Sequence, residues 1–157
     1  MKVSTNKKAF TMIELVFVIV VIGILAAVAV PRLAATRDDA VITKAKTVVS
    51  AVRSSVNTER QKRILRGDFT AITQLNYSNS NAAFDKFNPD KDGNSASVLE
   101  SPVYTCTTLG KTTECWKVNG ATYSFVLPDG NSVDFNLTKS RFTCKKPTNA
   151  NCLLLTN

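Results

Sequence analysis

The sequence predicts an α+β fold: a long N-terminal helix whose first half is transmembrane and whose second half packs on a small antiparallel β-sheet, with two disulfides. Three observations lead there. From Phe10 to Val30 the chain is apolar or small almost throughout, with Glu14 as the single charge. Apolar residues then recur at Ile42, Ala45, Val49, Val52 and Val56, the stripe of an amphipathic helix. After Pro102 the period changes to two, in β-branched and aromatic runs separated by turn residues, and all four cysteines lie in that part.

At about 1.5 Å per residue the Phe10–Val30 run covers a hydrocarbon core of roughly 30 Å. Lys2, Lys7 and Lys8 precede it and would stay in the cytoplasm, leaving the rest of the chain on the far side. A cleaved secretory signal fits badly, because the run is too long, carries an acid near its front and ends in Pro31-Arg32. A plain single-pass anchor explains the length and the lysines. It leaves Glu14 without a reason, since a lone carboxylate in a membrane helix is costly.

The stretch KKAFTMIELVFVIVVIGILAAVAVPRL combines a basic leader, a small residue, Phe-Thr-x-x-Glu-Leu and an apolar helix containing Gly and Pro. It resembles the prepilin N-terminus shared by type IV pilins and the pseudopilins of type II secretion and competence systems. The resemblance implies a leader at 1–9, a transmembrane and polymerisation helix at 10–31, and a periplasmic or extracellular pilin-like globular domain at 32–157. It implies cleavage between Ala9 and Phe10 by a prepilin peptidase, which then methylates the Phe10 amine; the family usually has Gly where this chain has Ala9. It assigns Glu14 to subunit assembly, facing the Phe10 amine of a neighbouring copy, and a charge in hydrocarbon is tolerated mainly when paired. It also implies that the helix softens between Gly23 and Pro31 in the assembled filament. Pro31 lacks a helical donor, and Gly23 lowers helix propensity by about 1 kcal/mol relative to Ala.

With 157 residues there is room for one small globular domain behind the membrane helix. The net charge of +8, partly from the leader lysines, can attract DNA or other acidic surfaces without choosing among them. No histidine is present, which removes the commonest general base and the commonest transition-metal ligand. With no Gly-rich phosphate loop either, the chain reads as a non-enzyme that requires no cofactor. An even number of cysteines confined to an exported part implies disulfides in an oxidising compartment.

Past the span, the helix is expected to continue to Arg66 and stop at Gly67, with Val41 and Val48 beside its apolar stripe. Arg37, Lys44, Lys46, Arg53, Arg60, Lys62, Arg63 and Arg66 occupy much of the remainder. From Asp68 to Pro102 the composition turns to Asn, Ser and Asp, which reads as an irregular connection. Within it, Asn88, Asp90 and Asp92 followed by Gly93 resemble the first half of a calcium loop. The distal acid should fall where Leu99 stands, and Glu100 is one residue late, so an ordinary Asn/Asp/Gly turn competes with a calcium site.

The runs VYTCTTL, TTECWKV, ATYSFVL and SVDFNL predict an antiparallel meander, with Arg141 to Cys144 as an edge strand. A hairpin turn at Gly110-Lys111 would set Cys106 opposite Cys115 and predicts a disulfide between them. Cys144 and Cys152 are left to pair. Centring the next turn on Asn119-Gly120 sets Trp116 against Tyr123, a packing pair rather than a ligand platform. The triplet Asn136-Leu137-Thr138 matches a glycosylation acceptor, but such sites favour surface loops and Asn136 lies near a strand end, so it is taken as chance. Leu153 to Leu155 are expected to lie against the sheet.

The function these features imply is a structural subunit of a type IV pilus-like or type II secretion pseudopilus filament. Such a subunit is held in the inner membrane and then assembled with copies of itself for secretion, adhesion and motility, or DNA uptake. The resemblance adds an assembly ATPase and a platform membrane protein as partners. The alternative is a membrane-anchored module that binds DNA, glycan or calcium and never polymerises.

Overall fold

The computed structural model describes residues 10–78 and 81–156. The chain divides into two units, Met1–Asp39 and Ala40–Asn157, and the helix α1, Met12–Leu65, contributes to both. In the first unit α1 is the one described element. Its Met12–Val30 portion is long and apolar enough to cross a membrane and buries none of its length. Its backbone stays helical through Gly23 and Pro31.

In the second unit α1 acquires a buried face. Ala45, Val49, Val52 and Val56 are all buried, as their spacing requires, while Val41, Ile42 and Val48 pack partly against the same core. The helix ends as expected at Gly67, in the left-handed conformation with φ +69. Its N–H donates to the Ile64 carbonyl at 2.9 Å and the Asp68 N–H to the Arg63 carbonyl at 2.8 Å, which satisfies carbonyls that α1 leaves open.

The sheet is a four-stranded antiparallel meander in the order β1-β2-β3-β4, formed by Cys115–Asn119, Thr122–Val126, Ser132–Thr138 and Arg141–Cys144. Its inward positions supply Trp116, Tyr123, Phe125, Val133, Phe135 and Phe142, which join the valines of α1 in one cluster. Phe84, from the connection before the sheet, lies 4.9 Å edge-on from Trp116 and stacks on Tyr123 at 5.4 Å. The 68–102 segment is irregular, as its composition implies, but Ile72, Leu75, Ala83, Phe84, Phe87 and Val98 are buried. Its few apolar residues thus fill the core while its many polar ones close the backbone hydrogen bonds.

Three expectations are corrected. The VYTCTTL run does not form a strand: Cys106–Leu109 is a short helix, α2. Thr105 caps it, accepting from the Thr108 N–H, and Gly110 ends it in the left-handed conformation, so local capping overrides the β-branched composition. The β1–β2 turn lies at Gly120-Ala121, one residue later than expected, with Asn119 paired to Thr122. Gly120, at φ +58, takes the first central place of the turn rather than the second. Trp116 therefore faces Phe125, and Tyr123 faces Val118. The displacement along the partner strand is even, so the core-facing set is unchanged. Finally, Leu153 and Leu154 are exposed. They belong to the helix α3, Ala150–Thr156, which buries only the face carrying Cys152 and Leu155.

Candidate functional site

At the head of α1 the polar atoms of Thr11 and Glu14 close on each other. The Thr11 N–H donates to Glu14 Oε2 at 2.9 Å, and the Thr11 hydroxyl donates to the same oxygen at 2.7 Å. In return the Glu14 N–H donates to Thr11 Oγ1 at 3.3 Å. This is a capping box, in which the side chains at the helix start satisfy backbone donors that have no intrahelical partner. It gives Glu14 an anchorage within its own helix that the sequence reading did not foresee, although the Thr-x-x-Glu spacing before an apolar run is its signature. Phe10, Ile13, Val16, Phe17 and Val20 lie around Glu14 and are exposed, Phe10 by 83%. The carboxylate is thus the one acid set in an otherwise apolar helix surface.

A model of the prokaryotic N-terminal methylation motif matches residues 4–30. The match covers the segment that carries the resemblance to prepilins and does not extend to the rest of the chain. Neither the curated proteins nor the solved structures contain a match to the chain. Of the expected cleavage pair, Phe10 is the first described residue, and Ala9 with the rest of the expected leader lies outside the described residues.

In the second unit both expected disulfides form. Cys106–Cys115 has a Cα separation of 5.1 Å, and Cys144–Cys152 one of 6.3 Å. The first does not arise from a hairpin register. It ties the start of α2 to the first residue of β1, beside a parallel bridge between Thr105 and Trp116. The second joins the last residue of β4 to α3.

The side chains of Asn88 and Asp90 are engaged within the loop itself. Asn88 Oδ1 accepts from the N–H groups of Thr73 and Gln74 while its amide donates to the Ala71 carbonyl, so it clasps one strand of the connection to another. Asp90 Oδ1 accepts from the N–H groups of Asp92 and Asn94, and Oδ2 sits 3.2 Å from Arg66 Nη1. These bonds hold the Asp90 carboxyl below its ordinary range, the Asn94 N–H contributing most. Among the described residues no three His, Cys, Asp or Glu side chains are grouped to hold a metal ion. A calcium ion here would compete with Arg66 for Asp90.

A buried polar network beside this loop was not legible in the sequence. Arg63, counted among the basic surface residues, is 1% exposed and bonds Glu59, Thr70 and the Asn88 carbonyl. Next to it the Asp68 carboxyl is held down to about 2, chiefly by the Thr70 N–H and also by the Lys91 N–H, the Thr70 hydroxyl and the Arg63 guanidinium. Tyr123 behaves in the opposite sense. Its hydroxyl bonds Asn76 and receives the Leu75 N–H, and burial pushes its pKa up to about 12.

Proposed function

We propose that the chain is a structural filament subunit, cut between Ala9 and Phe10, methylated on the Phe10 amine and held in the inner membrane by Met12–Val30 until it polymerises through that helix. The observation that carries this reading is the methylation motif over residues 4–30 on a helix with an exposed apolar surface around a single acid. Moving from lipid into a bundle of like helices keeps that surface out of water, and the Phe10 amine of a neighbour gives Glu14 a cationic partner. Gly23 and Pro31 mark where the helix yields on assembly. The disulfides suit a periplasmic or surface location. A prepilin peptidase, an assembly ATPase and a platform membrane protein are the partners this reading requires. The filament serves protein secretion, adhesion and motility, or DNA uptake; calcium at the Asn88–Asp92 loop is compatible with any of these.

The Thr11–Glu14 capping box favours one second reading, a membrane-anchored binding module, because it accounts for the acid without assembly. The two separate on Glu14→Val. The filament reading expects wild-type chain, and not the variant, in the sheared and crosslinked high-mass fraction, with both present in the membrane. Equal recovery of the two in that fraction would remove the assembly role of Glu14.

A further inference from the structure

The turn between β3 and β4 carries a feature that filament formation does not use. Thr138 pairs with Arg141, which leaves Lys139 and Ser140 as the turn. Both residues are left-handed, with φ +51 and +56, a conformation that favours Asn and Gly and is held here by other contacts. One of these is the Ile72 N–H, which donates to Ser140 Oγ at 3.1 Å. The strained turn thereby sets Lys139 beside Arg141, and Arg60 reaches the same place from α1. Together with Thr138 and Thr143 they line a shallow depression of about 560 Å³. Arg60, Lys139 and Arg141 are exposed, and none of them makes an ion pair among the described residues. Among the described residues no acid and no aromatic ring lines the depression.

We propose that this depression is a binding site for the phosphodiester backbone of duplex nucleic acid. Guanidinium groups fork onto phosphate oxygens and lysine adds a point charge, while the Thr138 and Thr143 hydroxyls both donate to Asn136 Oδ1 at 3.4 Å and form the floor between them. A site without aromatic faces cannot stack bases, so it suits a duplex, which presents phosphates outward, over a single strand. Sugar recognition commonly sets an apolar ring face against an aromatic side chain, and none is offered here. Contacts of this kind position the chain on DNA without reading sequence, and the net positive charge that remains without Lys2, Lys7 and Lys8, 8 − 3 = +5, assists approach. The site stands whether or not the chain polymerises.

The test is fluorescence anisotropy of a labelled 24-base-pair duplex with the full chain in neutral detergent, titrated over a range of NaCl concentrations. Arg60→Gln with Arg141→Gln should weaken binding at least ~10-fold and reduce the slope of log K against log salt by about 1.8, for two lost phosphate contacts. Lys139→Asn, which suits the left-handed backbone, should weaken it about 3-fold and keep the wild-type melting temperature or raise it. A control pair, Lys44→Gln with Lys46→Gln, removes the same charge elsewhere and should change affinity less than ~2-fold. Equal losses in the two pairs would reduce the effect to net charge and overturn the site. So would an absence of salt-dependent binding by the wild type, or competition by polygalacturonate as strong, per charge, as that of unlabelled duplex.

Discussion

Arg63 and Glu59 meet at 2.9 Å one turn apart on α1, and both are buried. The guanidinium also donates to the Asn88 carbonyl at 2.6 Å and to Thr70 Oγ1 at 3.4 Å, so one side chain joins the end of α1 to two points of the 68–102 connection. Arg63→Met should therefore leave Glu59 as an uncompensated buried acid, at a cost of about 3–5 kcal/mol. Urea unfolding followed by the single tryptophan, Trp116, measures this. Adding Glu59→Met should recover much of the loss. A single variant as stable as wild type would mean that Glu59 finds water or another donor.

The Cys106–Cys115 bridge closes a short loop, of sequence separation 9, and fixes α2 to the sheet. Replacing both cysteines by serine should lower stability by about 2–3 kcal/mol, the scale expected for a loop of that length. Because Cys144 and Cys152 are joined independently, the two losses should add to within about 0.5 kcal/mol when both bridges are removed. Thermal unfolding of the three variants in parallel checks this, and strong non-additivity would show that the bridges act on one element.

Acid stability should depend on Asp68. Its folded-state carboxyl is held at about 2, below the ordinary 3.8, so its contribution is complete above about pH 4 and is lost as the pH falls from there toward 2. Asp90 is lowered as well and acts in the same direction. Asp68→Asn should make the fall in urea midpoint between about pH 5 and 2 shallower than in wild type. An unchanged acid slope would place the sensitivity on other carboxylates.

Tyr123 should govern the alkaline side. Its hydroxyl receives the buried Leu75 N–H at 2.7 Å, and Tyr123→Phe should cost about 1–3 kcal/mol by leaving that donor unpaired. With the folded pKa raised to about 12 from 10.0, the wild type should lose stability as the pH rises through that interval, because the unfolded chain deprotonates first. The phenylalanine variant should lack this part of the decline, and persistence of the full decline would assign it to other groups.

The elements with a strong period were legible before any coordinates. The stripe from Ile42 to Val56 specified the buried face of α1, Gly67 marked its end, and alternation located β2, β3 and the edge strand β4. The Cys106–Cys115 pairing was also right, though it rested on a hairpin that the chain does not form. Thr105 and Gly110 cap a single helical turn there, and such local bonds outweigh the β-preference of threonine over so few residues. Arg63 could not be read as buried, because its burial depends on Asn88 and Thr70 returning from across the irregular segment. The depression around Arg60, Lys139 and Arg141 was hidden for the same reason: it joins α1 to a turn far along the chain. The capping box is different, since Thr11 and Glu14 stand at the ordinary Thr-x-x-Glu spacing before an apolar run, a signal that needs no distant residue.

The central claim, a prepilin-type subunit processed at its N-terminus, is tested most directly by the intact mass of the chain recovered from its native membrane. The account predicts a mature protein that begins at Phe10 and carries one added methyl group on that amine. A chain that still holds residues 1–9, with an unmodified Phe10, would contradict it and leave the apolar helix as an anchor alone.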